Sequence, residues 1–362
     1  MHQLWYTIIE PVLEALQPET LVEIGSDQGF NTRNLLGFCQ RHDAVLHVID
    51  PLPKYDVVAW QEQYGKHLVF HKALSLDALP TIDRFDAVLI DGDHNWYTVF
   101  NELKLIEDRC KDSSRDFPLV MLHDIGWPYG RRDLYYDPET IPEEYRKPYK
   151  HSGLRPESED LVEAGGLNRN LANAVTENDP RNGVLTAVED FLEETEHVIE
   201  LMQLPGLHGL GILVPSNLKE QNAELAEVLG VLDLPPTVAR YIELIEEARL
   251  EEEIGRREHN ARSERLKTRL EKEESKLEKE KSRLEKKKSQ LRKEKSQLRE
   301  QKNRLEKENK ASQIRSKELQ QRTLQLMERN RRLTQQLEDI QSSKRWQLLS
   351  ALDRIRAKMR GR

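Results

Sequence analysis

The sequence predicts an α/β domain with a doubly wound, mostly parallel sheet, followed by a long α-helical coiled coil. Three observations carry that prediction. Short β-rich runs alternate with helical stretches from Thr20 to His123, the pattern of a doubly wound domain. The runs are continuously apolar, as expected where helices cover both faces of a parallel sheet. From Leu270 onward a leucine recurs every seventh residue, in a segment that has lost all proline and nearly all glycine.

The first run, Thr20 to Gly25, leads through a glycine-containing bend into a helix over Asn31–Gln40. Ala44 to Asp50 is the second strand and stops at Pro51, which cannot continue a ladder. His67–His71 and Phe85–Asp91 follow, then a helix over Tyr97–Cys110 and a fifth strand over Phe117–His123. Residues 125–182 are rich in Pro, Tyr, Arg and Glu. A connection that long is expected to be an ordered lid or substrate-binding insertion rather than a loose loop. A helix (Gly183–Glu196) and two closing strands (Val198–Leu204, Gly209–Val214) complete a domain over 1–215.

Residues 216–265 read as a helical linker and 266–342 as the coiled coil. Its repeat is Leu270, Leu277, Leu284, Leu291, Leu298, Leu305, Ser312, Leu319, Leu326, Leu333 and Ile340, a strong heptad signal. The companion core position is polar (Glu274, Lys281, Lys288, Lys295, Lys302, Asn309) and becomes apolar at Leu337. The expectation is homo-oligomerisation through a seam weak in its middle; a solvated single helix held by Glu–Lys pairs is the alternative. The tail 343–362 carries seven Lys and Arg against one Asp, with Trp346, Leu349, Leu352 and Ile355 along one side. Such a helix suits an anionic membrane surface, or a partner helix.

Charge divides the same way. Residues 1–250 carry 21 Lys and Arg against 44 Asp and Glu, a net −23, whereas residues 251–362 carry 35 against 20, a net +15. No base-stacking or recognition motif accompanies the basic segment, so nucleic acid is not the expected partner. The start of the chain has neither a basic n-region nor an apolar h-region. Two cysteines, Cys39 and Cys110, cannot make a disulfide framework. A cytoplasmic protein is expected, peripheral at the inner membrane face if the tail binds lipid.

The first bend reads Glu23-Ile24-Gly25-Ser26-Asp27-Gln28-Gly29. Its glycines let backbone pass close to a ligand at the carboxyl end of a parallel strand. Asp27 falls where a dinucleotide pyrophosphate would lie, which disfavours NAD or FAD. Asp50, closing the second strand, can accept from ribose hydroxyls. These residues resemble the class I S-adenosylmethionine-dependent methyltransferases, whose first motif is E/D-x-G-x-x-x-G, over roughly residues 15–215. The resemblance implies cofactor contacts from Glu23, Gly25, Ser26, Gly29, Asp50 and Asp91.

Two further clusters, Asp91-Gly92-Asp93-His94 and His123-Asp124, end the fourth and fifth strands and should emerge at one sheet edge. They look like the metal-dependent branch related to cephalosporin-hydroxylase-like and macrolide-sugar O-methyltransferases. That resemblance implies Asp91, His123 and Asp124 as ligands of a divalent cation, Mg²⁺ in the first instance, with His94 as general base. The chain departs at His123, where relatives carry an acid. Helix capping by Asp91 and Asp93, and strand-end packing by His123, are the structural alternatives. Trp127, Tyr129, Arg131, Arg132 and Tyr135 begin the insertion and are expected to contact a polar, ring-shaped acceptor; Arg pairing with the domain's own carboxylates is the alternative. The resulting expectation is O-methylation of a sugar or surface-glycan precursor. A non-catalytic scaffold with a methyltransferase fold is the alternative, and a cofactor-independent metallohydrolase a weaker third.

Overall fold

In a computed structural model, residues 1–113, 115–156, 158–300, 317–336 and 338–339 are described. They divide into two compact units, Met1–Ile254 and Gly255–Arg362. The expectations for Leu305, Ser312, Leu337, Ile340 and the tail 343–362 lie outside the described residues.

The first unit opens with two single-turn segments and α1 (Glu10–Leu16), followed by β1 (Thr20–Ile24), α2 (Phe30–His42), β2 (Val45–Ile49), α3 (Val57–Tyr64) and β3 (Leu68–His71). Then come α4 (Ser75–Ala78), β4 (Ala87–Ile90), α5 (Trp96–Ser113) and β5 (Leu119–His123). The insertion carries β6 (Leu134–Tyr135), β7 (Tyr149–His151), β8 (Gly153–Arg155), β9 (Ser158–Val162) and β10 (Ala172–Ala174). After it run α6 (Val184–Glu194), β11 (Ile199–Leu204), β12 (Leu210–Pro215), α7 (Ser216–Gln221), α8 (Ala223–Leu232) and α9 (Pro236–Glu300).

The main sheet has seven strands in the order β11-β12-β5-β4-β1-β2-β3. The five strands from β5 to the β3 edge are parallel, and β12 and β11 complete the other side with antiparallel pairings. Successive side chains alternate between two cores, as the pleat requires. Leu21, Leu46, Leu89 and Met121 face Leu35, Phe38 and Leu13 on one side. Val22, Val88, Ile90 and Val120 face Val99, Leu103 and Phe191 on the other. The order reverses at β1, flanked by β2 and β4, so the crevice beyond β1 and β4 is the place for a ligand.

The insertion is ordered. Its β6-β10-β7 sheet and β8-β9 pair enclose small cores around Tyr129, Leu134, Leu154 and Leu167, and around Tyr135 and Ile141. Residues 216–254, read from sequence as linker, also pack on the domain: Leu225, Leu229, Leu250 and Ile254 are buried.

Within the second unit, α9 runs to Glu300 and a second helix spans residues 317–336. The two lie side by side: Leu266, Arg269, Leu270 and Glu273 share a groove with Arg329, Leu333 and Gln336. The heptad positions Leu270 and Leu333 thus line one groove of this chain. Among the described residues no helix is long and apolar enough to cross a membrane.

Candidate active site

The bend after β1 is built on left-handed backbone. Gly25 has φ 84°, Asp27 45° and Gly29 76°. A Cβ at Gly25 would fall 2.3 Å from the Asp91 carbonyl oxygen, and one at Gly29 2.6 Å from the Trp60 ring. These glycines thus admit the chain's own β4 exit and an aromatic side chain. The Gly25 N–H donates to the Ile49 carbonyl at 2.9 Å and the Asp91 N–H to Ile24 at 2.8 Å, so the ends of β1, β2 and β4 are fixed together.

Asp50 holds this bend. Its Oδ2 accepts from the Ser26 N–H (2.9 Å), the Ser26 hydroxyl (2.7 Å) and the Asp27 N–H (2.9 Å), and Oδ1 accepts from the Leu52 N–H (2.8 Å). A carboxylate has about four acceptor positions, so Oδ2 is saturated and the capacity left for a ligand hydroxyl is on Oδ1. Glu23 is buried and accepts from Asn31 Nδ2 at 2.9 Å; burial pushes its carboxyl up to about 7. Its second oxygen, Asn31 Oδ1 and Thr32 Oγ1 are buried without partners around the same bend, which leaves polar capacity there for a ligand. Phe30 and Leu52 flank it as exposed apolar side chains, 55% and 79% accessible.

Beside this bend, β4 and β5 deliver the acidic cluster. Asp91, His123 and Asp124 each offer a ligand atom, all within 4.8 Å of one another. His123 Nδ1 lies 3.2 Å from Asp91 Oδ1 and 2.9 Å from Asp124 Oδ2. His94 Nε2 is 2.8 Å from Asp124 Oδ2, without hydrogen-bond alignment, and 3.7 Å from Asp91 Oδ1. Asp124 itself has φ 61°, an uncommon conformation that recurs at functional sites. The Met1 ammonium donates to Asp91 Oδ2 at 2.9 Å.

Burial opposes every charge here, and the opposite charges outweigh it. Desolvation would raise both carboxyls, but His123 holds Asp91 and, with His94, Asp124 well below the usual carboxylate range. Burial would likewise lower the imidazoles, yet Asp124 and Asp91 bring His123 up to about 9, and Asp124 holds His94 well above its ordinary value. Two carboxylates are thus kept ionised in a largely enclosed place, with imidazolium as the counter-charge. Asn95 rather than Asp93 caps α5, its Oδ1 accepting from the Thr98 N–H at 2.9 Å; Asp93 Oδ2 accepts from the Thr98 hydroxyl at 3.2 Å.

The insertion divides the five residues expected to contact an acceptor. Tyr129 packs its ring 5.7 Å from that of His94, with its hydroxyl donated to Asn173 Oδ1 at 3.0 Å. Trp127, half-buried, packs on the neighbouring small core. Arg132 and Tyr135 are corrected by the structure. Arg132 is fully buried and donates to the carbonyls of Ala174 (2.6 Å), Val175 (3.0 Å) and Glu159 (2.6 Å) and to Glu177 (2.9 Å). Tyr135 is buried and donates to Asp133 Oδ2 at 2.8 Å. Both hold the insertion together, because a buried guanidinium or phenol must satisfy its donors locally. Arg131 pairs with Glu189 (Nη2 to Oε1 2.7 Å), the alternative weighed for it.

Two residues outside the five expected to contact an acceptor lie beside the cluster. Tyr136 presents a half-exposed ring 5.8 Å from His94, and His208 stands 6.4 Å from His123, ring to ring. Tyr136 follows the chosen aromatics directly and was within reach of the same reasoning; nothing local marks His208.

Residues 22–125, from β1 to just past β5, match the family described as a methyltransferase domain. Solved structures with similar folds include an S-adenosylhomocysteine-bound methyltransferase of Podospora anserina (14% identity, 57% of this chain and 76% of that one, TM-score 0.36). A second is the 1,6-didemethyltoxoflavin-N1-methyltransferase of Burkholderia thailandensis with bound 1,6-didemethyltoxoflavin and S-adenosylhomocysteine (12%, 57% and 77%, 0.32). A third is a methyltransferase of Geobacter sulfurreducens (12%, 59% and 77%, 0.32). Likenesses this distant carry no argument about substrate or mechanism. No curated protein matches the chain. Residues 22–125, which include the bend after β1 and the ends of β4 and β5, are thus similar to a methyltransferase domain.

Proposed function

We propose that the protein is an O-methyltransferase that uses S-adenosylmethionine and a divalent cation to methylate a hydroxyl of a sugar or surface-glycan precursor. One observation carries the reading: Asp91, His123 and Asp124 converge within 4.8 Å, with His94 against Asp124, beside the bend that the methyltransferase family match includes.

The residues fit the two absent groups. Asp50 Oδ1 and the unpartnered Glu23, Asn31 and Thr32 atoms offer polar capacity to a nucleoside that also carries amino-acid groups, and Phe30 and Leu52 offer apolar surface. Asp91 and Asp124 with the His123 imidazole are a hard donor set with one nitrogen, suited to Mg²⁺ or Mn²⁺. A bound divalent cation would lower the pKa of an acceptor hydroxyl and orient vicinal hydroxyls. His94 supplies the proton acceptor. Asp124 raises its pKa, and a cation held by that carboxylate would weaken this effect and leave the imidazole free to act as base. Tyr129 and Tyr136 give the acceptor ring flat apolar surface on the insertion side.

The test measures S-adenosylhomocysteine release against a panel of sugar and nucleotide-sugar acceptors, with Mg²⁺, Mn²⁺ or chelator. Turnover that needs both a hydroxyl acceptor and a divalent cation is the expected result. Turnover untouched by chelator sinks the cation assignment, and methylation confined to nitrogen acceptors sinks the O-methyl assignment.

A further inference from the structure

Three segments meet behind His123. The loop joining β11 to β12 carries Leu207 at φ 50° and His208 at φ 71°, left-handed backbone that is costly for a leucine. Helix α9 holds that loop. Glu246 Oε1 accepts from the His208 N–H at 3.0 Å. Arg249, one turn further along, binds Glu246 through Nε and Nη2, both at 2.7 Å. Its Nη2 also lies 3.3 Å from His208 Nε2.

A guanidinium only donates, so Nε2 of His208 is the acceptor and the ring proton sits on Nδ1. His208 Nδ1 is 3.1 Å from the Trp127 carbonyl oxygen, which only accepts. Both contacts therefore select one neutral tautomer. The ring so held stands edge-on to His123, at 79° and 6.4 Å between centroids. The His208 carbonyl accepts from the Gly126 N–H at 2.7 Å, two residues beyond Asp124. A Cβ at Gly126 would lie 2.7 Å from that oxygen, so the loop presses directly on the chain that leaves the site. Strained backbone persists only where its surroundings over-determine it, and it gathers at working sites.

We propose that Glu246 and Arg249, about three turns into the long helix, are positioning residues that act through His208 to set the ring of His123. The proposal rests on reading Asp91, His123 and Asp124 as a cation site. On this view the part of α9 within the first unit completes the wall of the site.

The experiment uses the full chain with ¹³C,¹⁵N-histidine, comparing wild type with Arg249→Ala and Arg249→Lys, and with His208→Gln and His123→Gln to assign resonances. Long-range proton–nitrogen spectra report each ring's tautomer, and calorimetry with Mn²⁺ alone reports cation affinity. Wild type is expected to show His208 wholly as the Nδ1–H tautomer. Arg249→Ala should mix its tautomers, move the His123 ring resonances and weaken Mn²⁺ binding about tenfold, the usual scale for groups that orient a ligand. Arg249→Lys, which keeps a donor, should restore both in part, a recovery that general loss of packing would not give. Unchanged His123 resonances in Arg249→Ala, with His208 altered, overturn the proposal. Absence of Mn²⁺ binding by wild type instead overturns the cation reading, and the His123 resonances then decide the coupling alone.

Discussion

Gly25 and Asp91 are in contact through backbone alone: a methyl group on residue 25 would fall 2.3 Å from the Asp91 carbonyl oxygen. The bend expected to cradle a cofactor and the strand end expected to hold a cation are thus one rigid piece. Gly25→Ala, at φ 84°, meets both a conformational and a steric penalty. It should destabilise the domain by roughly 2–5 kcal/mol and lower affinity for both S-adenosylhomocysteine and Mn²⁺. Calorimetry and thermal melts check this; loss of one affinity alone would contradict the coupling.

Asp124→Asn and His94→Ala separate holding from proton transfer. Asp124→Asn removes a carboxylate that contacts both His94 and His123, and should abolish Mn²⁺ binding. His94→Ala should leave cofactor binding intact while turnover falls roughly 10²–10⁴-fold, the contribution of a general base. Calorimetry and S-adenosylhomocysteine release read the two effects separately.

Glu102 on α5 is fully buried, with neither carboxylate oxygen partnered, and burial raises its pKa to about 8. Below the ordinary glutamate value both folded and unfolded chains hold the proton. As pH rises from about 4.5 to about 8 only the unfolded chain loses it, so stability falls over that window, by on the order of 4 kcal/mol. Glu102→Gln should remove this slope: denaturant midpoints of variant and wild type should diverge at pH 8, in the variant's favour, and approach each other at pH 5. Parallel curves would show that the carboxyl is not protonated in the fold.

Arg131 and Arg132 are neighbours with opposite fates. Arg132→Ala strips the partner from Glu177 and donors from three carbonyls, and should cost about 3–5 kcal/mol and open the insertion to protease. Arg131→Ala loses a partly exposed pair with Glu189 and a hydrogen bond to the Thr186 hydroxyl, and should cost about 1 kcal/mol. Limited proteolysis with denaturant melts ranks the two.

For the tail, deletion of residues 343–362 should leave turnover of a soluble acceptor unchanged and reduce sedimentation with vesicles rich in anionic lipid. Equal sedimentation of the truncated chain removes the membrane role.

The main sheet was legible because continuous apolar runs such as Ala87–Ile90 have few other ways to be buried on both sides. The convergence of His94 with His123 and Asp124 was legible from chain order, since parallel strands release their ends at one edge. Other features need information that no local pattern holds. Arg132 sits among aromatics and reads like a ligand contact; only the fold shows that the carbonyls of residues 159, 174 and 175 surround it. Glu246 and Arg249 look like one more pair on a charged helix face, until the loop at His208 is placed against them. By contrast, Trp5, Ile9, Val12 and Leu13 are buried in the main core, and their i, i+4, i+7, i+8 spacing is that of one helix face.

The Leu134 N–H donates to the His94 carbonyl at 2.9 Å, so the proposed base and the first strand of the insertion share a backbone joint. A descendant of this chain that replaced its insertion wholesale would have to rebuild the seat of His94 as well. Drift toward new acceptors should therefore accumulate at outward positions such as Tyr136, while the stretch that carries Arg132 to Tyr135 stays fixed as the hinge pin of the whole arrangement.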